Sequence, residues 1–174
     1  MSTPANHPPG VEPWLSGTHA ETPAVGRAVL HAFELVLEDL KKWTEGLTDT
    51  EAHAEPLGLT PLSFHLKHLA RSTDRLLTYA EGGQISPEQM RALKAEQGGT
   101  ESLAEMIAEV EASFTHGAER VKALASKDVE TFRGVGRKQL PTSIGGVLVH
   151  VAEHAERHTG QVVTTAKVLK ALRG

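Results

Sequence analysis

The sequence predicts an all-α protein, a four-helix bundle preceded by an irregular N-terminal arm. Four stretches carry apolar residues at intervals of three and four. No stretch alternates apolar and polar residues as a half-buried strand would, and proline and glycine separate the periodic stretches. A chain of 174 residues is long enough to bury a core without staples. The expected organisation is an arm over residues 1–22 and a single bundle domain over residues 23–174.

The arm contains Pro4, Pro8, Pro9 and Pro13 with Gly10 and Gly17, which leaves no room for a regular element. Trp14 and Leu15 are its large apolar residues and are expected to pin it to the body. Pro23 suits the first turn of a helix, and Val25, Val29, Leu30, Phe33, Val36, Leu37 and Leu40 carry helical spacing on to Trp43. Gly46 stops this helix, and a connection runs through Pro56 and Gly58. The second long helix should start at Thr60-Pro61, with threonine as cap and proline at the first helical position. It should run to Gly82-Gly83, with Leu62, Leu66, Leu69, Leu76, Leu77 and Ala80 on its core face. A short helix is expected from Ser86-Pro87-Glu88 to Gln97. The third long helix opens at Thr100-Glu101-Ser102-Leu103 and keeps its pattern through Met106, Ile107, Val110, Phe114, Val121 and Leu124. Lys127 to Pro141 reads as a loop. Thr142-Ser143 can cap a last helix extending to Leu172, with Gly145-Gly146 near its start as a point of close packing or weakness.

Composition excludes several function classes. With 22 acidic and 18 basic residues the net charge is −4, and no basic stripe is present to displace the counterions of a nucleic acid. The absence of cysteine removes disulfides and any thiolate nucleophile supplied by the protein. No apolar run approaches the roughly 18 residues of a membrane span, and the N-terminus lacks the basic-then-apolar form of a signal peptide. A cytoplasmic protein acting on a small molecule, without nucleic-acid or membrane partners, is the expectation.

Chemistry concentrates in histidine. Three of the ten histidines, His150, His154 and His158, stand four apart on the last helix. Residues at that spacing lie one turn above each other, so their imidazoles can converge on one ion. At about 100° per residue, Ile144, Val147, Leu148, Val151, Ala155 and Val162 occupy one sector. His158 falls inside it, His154 near its edge and His150 further out. On the second helix His65 projects nearer the middle of the leucine stripe than His68, and the angles leave the choice between them open. A lone histidine on an apolar face is more often a hydrogen-bonded core residue than a ligand. Several buried imidazoles together are costly unless each nitrogen has a partner, and a metal ion supplies one partner to all. His7, His19, His31, His53 and His116 are scattered and read as surface or local structure.

Two familiar metal sites are excluded by spacing. The protease pattern His-Glu-x-x-His needs its glutamate directly after the first histidine. Here Glu156 lies one place later, on a face about 160° from His158. A ferritin-like di-iron centre needs a glutamate three residues before a histidine, and neither His154 nor His158 has one. A mononuclear three-histidine site with open positions remains.

His68-Leu69-Ala70-Arg71-Ser72 on the second helix, together with His154-x-x-x-His158-Thr159-Gly160-Gln161 on the last, resembles the DinB/YfiT-like superfamily of bacterial four-helix bundle proteins. The resemblance covers roughly residues 24–172. It implies that the family's histidines fall on His68, His154 and His158, which as metal ligands would hold a divalent transition metal, zinc or nickel first among the candidates. Where relatives commonly have arginine before the glycine, this chain has Thr159. The resemblance also implies metal-dependent transfer of a low-molecular-weight bacterial thiol to an electrophilic small molecule, and homodimers. In that role His150, Gln161 and His65 would stand behind the ligands or face the substrate. A three-histidine ion can bind a thiol and lower its pKa, a device that a protein without cysteine needs. The alternatives are a non-catalytic metal-binding stress-response or sensor protein, and a bundle whose histidines are satisfied by hydrogen bonds alone.

Overall fold

The computed structural model describes residues 10–173, so His7 and the prolines before Pro13 lie outside the described residues. Six helices are joined in order: α1 (Ala24–Thr44), α2 (Asp49–Ala52), α3 (Leu62–Ala80), α4 (Pro87–Lys94), α5 (Leu103–Ala125) and α6 (Ile144–Leu172). Between α5 and α6 lies an antiparallel hairpin of β1 (Phe132–Val135) and β2 (Leu140–Ser143). The protein is therefore mostly helical, with one small sheet. Among the described residues no helix is long and apolar enough to cross a membrane.

The four long helices surround one apolar core, α1 lying against α5 and α6, and α3 against the same two. The apolar positions of the four periodic patterns turn to this core: Val29, Phe33, Leu66, Leu69, Val110, Phe114, Leu148 and Val151 are buried, and Leu37, Leu76 and Ile107 are half-buried against it. Phe33 of α1 stacks on Phe114 of α5 with ring centroids 4.1 Å apart. Gly26 brings α1 and α5 together, because a Cβ there would stand 2.4 Å from that of Ala125. Capping boxes start three of the helices, pairing Thr48 with Glu51, Ser86 with Gln89, and Ser102 with Glu105.

Four local expectations are corrected. The segment read as a loop before α6 holds the hairpin, in register Phe132 to Ser143 and Val135 to Leu140. Its strands have four residues each, too few to show alternation, and Gly136 and Gln139 turn the chain with φ of 69° and 49°. Helix α3 begins at Leu62 with Pro61 at its cap and no side-chain cap bond, so Thr60 does not cap it. Helix α4 stops at Lys94 and not at Gln97, since Arg71 draws the carbonyls of Ala92 and Ala95 toward itself. Finally, Trp14 and Leu15 do not pin the arm: they are 63% and 59% exposed. Buried Pro13 and Thr22, and hydrogen bonds from Thr18 to His31 and from His19 to Glu34, hold it to α1 instead.

Candidate metal centre

The candidate site lies where α3 crosses α6. His68, His154 and His158 each offer one ring nitrogen, and these three atoms lie within 4.8 Å of one another. Ring centroids are 4.9 Å apart for His68 and His154, 4.5 Å for His68 and His158, and 4.6 Å for His154 and His158. All three rings are half-buried, the His68 side chain 17% exposed, so the cluster can be reached from solvent. Phe64, one turn before His68, stacks on its ring at 5.3 Å.

Each ring is held on its Nδ1 side. Nδ1 of His68 is 2.7 Å from Oε2 of Glu96, whose other oxygen accepts from Arg75 Nη1 at 2.6 Å. Glu96 is 3% and Arg75 8% exposed. Burial opposes ionisation of Glu96, but the His68 and Arg75 hydrogen bonds outweigh it and hold its pKa below the usual carboxylate value. An ionised Glu96 only accepts, so His68 must carry its proton on Nδ1. Ser72 Oγ donates to the carbonyl of His68 one turn back, and stands 3.3 Å from Nδ1 of His154. With its one proton committed, the hydroxyl accepts from His154 Nδ1–H. Nε2 of His68 and Nε2 of His154 are thus both lone-pair nitrogens, and they face each other at 3.1 Å.

His158 has the third such partner, Nδ1 of His65, at 3.1 Å. His65 is 3% exposed and lies beneath the cluster, in keeping with its place near the middle of the leucine stripe. When His158 donates to His65, its own Nε2 becomes the nitrogen it can offer. Burial is the main cause that lowers the pKa of His65 and His154 to about 4 and of His158 to about 3, and the closeness of the His68 ring adds to it. These imidazoles are neutral at pH 7, the form that binds a metal.

A cation fits this arrangement, because two lone pairs 3.1 Å apart repel unless something positive lies between them. Two nitrogens bound to one zinc at 2.0–2.1 Å and the tetrahedral angle would be about 3.3 Å apart. His150 stands at the edge, its ring centroid 5.5 Å from that of His154 and its Nδ1 3.6 Å from Glu153. Gln161 is exposed, one turn beyond His158. Glu156 lies on another face, where burial and the charges of Asp39 and Glu12 raise its pKa.

The sequence description of the DinB superfamily matches residues 32–162, most of the chain and the whole histidine cluster. The chain belongs to the DinB superfamily. The DinB match runs from within α1 into α6, so it covers both helices that supply the cluster. No curated protein matches the chain significantly.

Glu96, Arg75 and Ser72 are the functional candidates that spacing did not reveal. A signal for the first existed. Lys67, Arg71 and Arg75 recur every four residues on α3, and such a stripe calls for acceptors. All three reach the end of α4 or the segment after it: Lys67 donates to Gly98 O and Glu101, Arg71 to Ala92 O and Ala95 O, and Arg75 to Glu96. This grip turns Glu96 inward to His68.

Proposed function

We propose that this DinB-superfamily protein is a metal-dependent transferase that moves a low-molecular-weight thiol onto an electrophilic small molecule. The observation that carries the reading is the pair of facing lone-pair nitrogens on His68 and His154, with His158 beside them. His68, His154 and His158 would hold a divalent ion, zinc or nickel, through Nε2. Such an ion supplies Lewis acidity, binding an incoming thiol and lowering its pKa toward neutrality.

The chain's own residues do the rest. Glu96, held by Arg75, fixes the tautomer and tilt of His68; Ser72 does the same for His154, and His65, hydrogen-bonded at Nδ1, holds the ring of His158. The cluster is half-exposed, and we assign His150 and Gln161, on α6 at either end of it, to face the substrate. In the net reaction a carbon–sulfur bond forms as the bond from that carbon to its leaving group breaks. The leaving group departs with the bonding pair, and the thiol proton passes to solvent. We further read the four long helices as one DinB-type four-helix bundle domain that works in the cytoplasm as a homodimer.

The test is to incubate metal-loaded protein with a panel of bacterial thiols and a halo-aromatic electrophile. The reading predicts a rate that metal-free protein lacks. Stoichiometric metal binding with no such rate across the panel would favour a non-catalytic metal-binding protein instead.

A further inference from the structure

The hairpin builds a second feature beside the cluster. Leu76 of α3, Val135 and Leu140 of the hairpin, Pro141, and Val147 and His150 of α6 line a pocket of about 250 Å³. We propose that this pocket binds the apolar, ring-bearing part of the electrophile, and so selects aromatic electrophiles over small polar ones. The proposal rests on the transferase reading for its use in turnover, and on the pocket alone for binding.

Three observations carry it. The lining is apolar except for His150 and the neighbouring Thr142, so the ligand part that it takes is a hydrocarbon surface with little polarity. Its size suits a substituted single ring, since an apolar cavity of about 150 Å³ already holds benzene. Continuity with the cluster comes through His150, which lines the pocket and whose ring meets His154 edge-on at 5.5 Å. A halo-aromatic ring seated there would have its halogen-bearing ring carbon as the point of attack, on the side where His150 meets His154.

The pocket is also firmly built. Arg133 of β1 donates to Ala80 O at the end of α3, and Ile144 N and Gly145 N donate to Thr131 O and Val129 O. Gly146 lets Thr142 lie against α6, as a Cβ there would stand 2.3 Å from its hydroxyl. Leu140, 59% exposed, forms the outer rim and leaves a way in. The larger pocket, near 340 Å³, between α3, α4 and α5 offers no such site, because its charged groups are spent on each other, Arg71 on Glu109 and Arg120 on Asp74.

The test is a titration of 1-chloro-2,4-dinitrobenzene, without thiol, into methyl-labelled protein followed by NMR. The methyl resonances of Leu76, Val135, Leu140 and Val147 should shift together and saturate, and Leu140→Glu, which places a carboxylate on the exposed rim, should weaken binding at least ten-fold. In turnover the same variant should raise KM for the halo-aromatic by that factor and leave KM for iodoacetamide unchanged. Absence of these shifts in the folded wild-type protein would overturn the proposal whatever the turnover. Shifts that follow protein concentration and self-association, marking a second copy as the occupant, would overturn it as well. Saturable shifts with no turnover would uphold the pocket as an aromatic site and reject the transferase reading alone.

Discussion

Nε2 of His68 lies 3.1 Å from Nε2 of His154, and the partners on the far side of both rings leave that gap without a hydrogen. The arrangement depends on Glu96. Replacing it with glutamine removes the charge that fixes the His68 tautomer, and loss of such a partner typically lowers metal affinity about 10–100-fold. Calorimetric titration of Glu96→Gln with zinc or nickel should show a drop of that size; wild-type affinity would mean that Glu96 serves only to pair Arg75.

Metal-free protein should lose stability as pH falls from about 6.5. An unfolded chain protonates its histidines near 6.5, whereas His65, His154 and His158 resist protonation until about 4 or 3. The unfolded state therefore binds more protons across that window, and stability rises with pH through it. Urea midpoints in chelator at pH 7.5, 6 and 5 should decline in that order. A midpoint that stays level would contradict the neutral, buried state of these rings.

Lys67 is fully buried, with its ammonium on Gly98 O and on Glu101 3.3 Å away. Lys67→Met keeps the stem but removes the ammonium's hydrogen bond to Gly98 O, and a bond from a charged donor contributes about 1.5–3 kcal/mol. Hydrogen exchange should quicken in residues 92–101 beyond the global effect. Uniform change along the chain would show that Lys67 does not hold that segment.

Two glycine substitutions should move stability in opposite directions. Alanine at position 26 gains about 1 kcal/mol of helix propensity but drives its Cβ to 2.4 Å from Ala125, and overpacking of this kind costs about 1–3 kcal/mol. Gly160 is an exposed α6 residue whose Cβ would meet nothing within 4 Å, so Gly160→Ala should stabilise by roughly 0.5–1 kcal/mol. Thermal melts of both variants decide it, and a gain for both would mean that α1 and α5 can move apart freely.

The helices were legible in the sequence because a period of 3.6 repeated over some twenty residues is a strong signal. The hairpin was not, since Phe132–Val135 and Leu140–Ser143 are held by pairing with each other and by α6, not by their own pattern. In the site, the spacing of His154 and His158 places them on one face. The relation of His65 to His68 did not follow from angles, because both lie near the stripe and only the crossing of α3 with α6 sets one below the other. Glu96 was hidden for a different reason. Its role arises from a turn after α4 whose carbonyls on either side accept from Arg71 and Lys67, residues distant in the sequence.

Metal analysis tests the central claim most directly. After dialysis against zinc or nickel and then buffer, wild-type protein should retain one ion per chain, with X-ray absorption showing three imidazole nitrogens at about 2.0–2.1 Å for zinc. The His154→Ala/His158→Ala variant, folded by circular dichroism, should retain none. Equal metal in the two proteins would contradict the account.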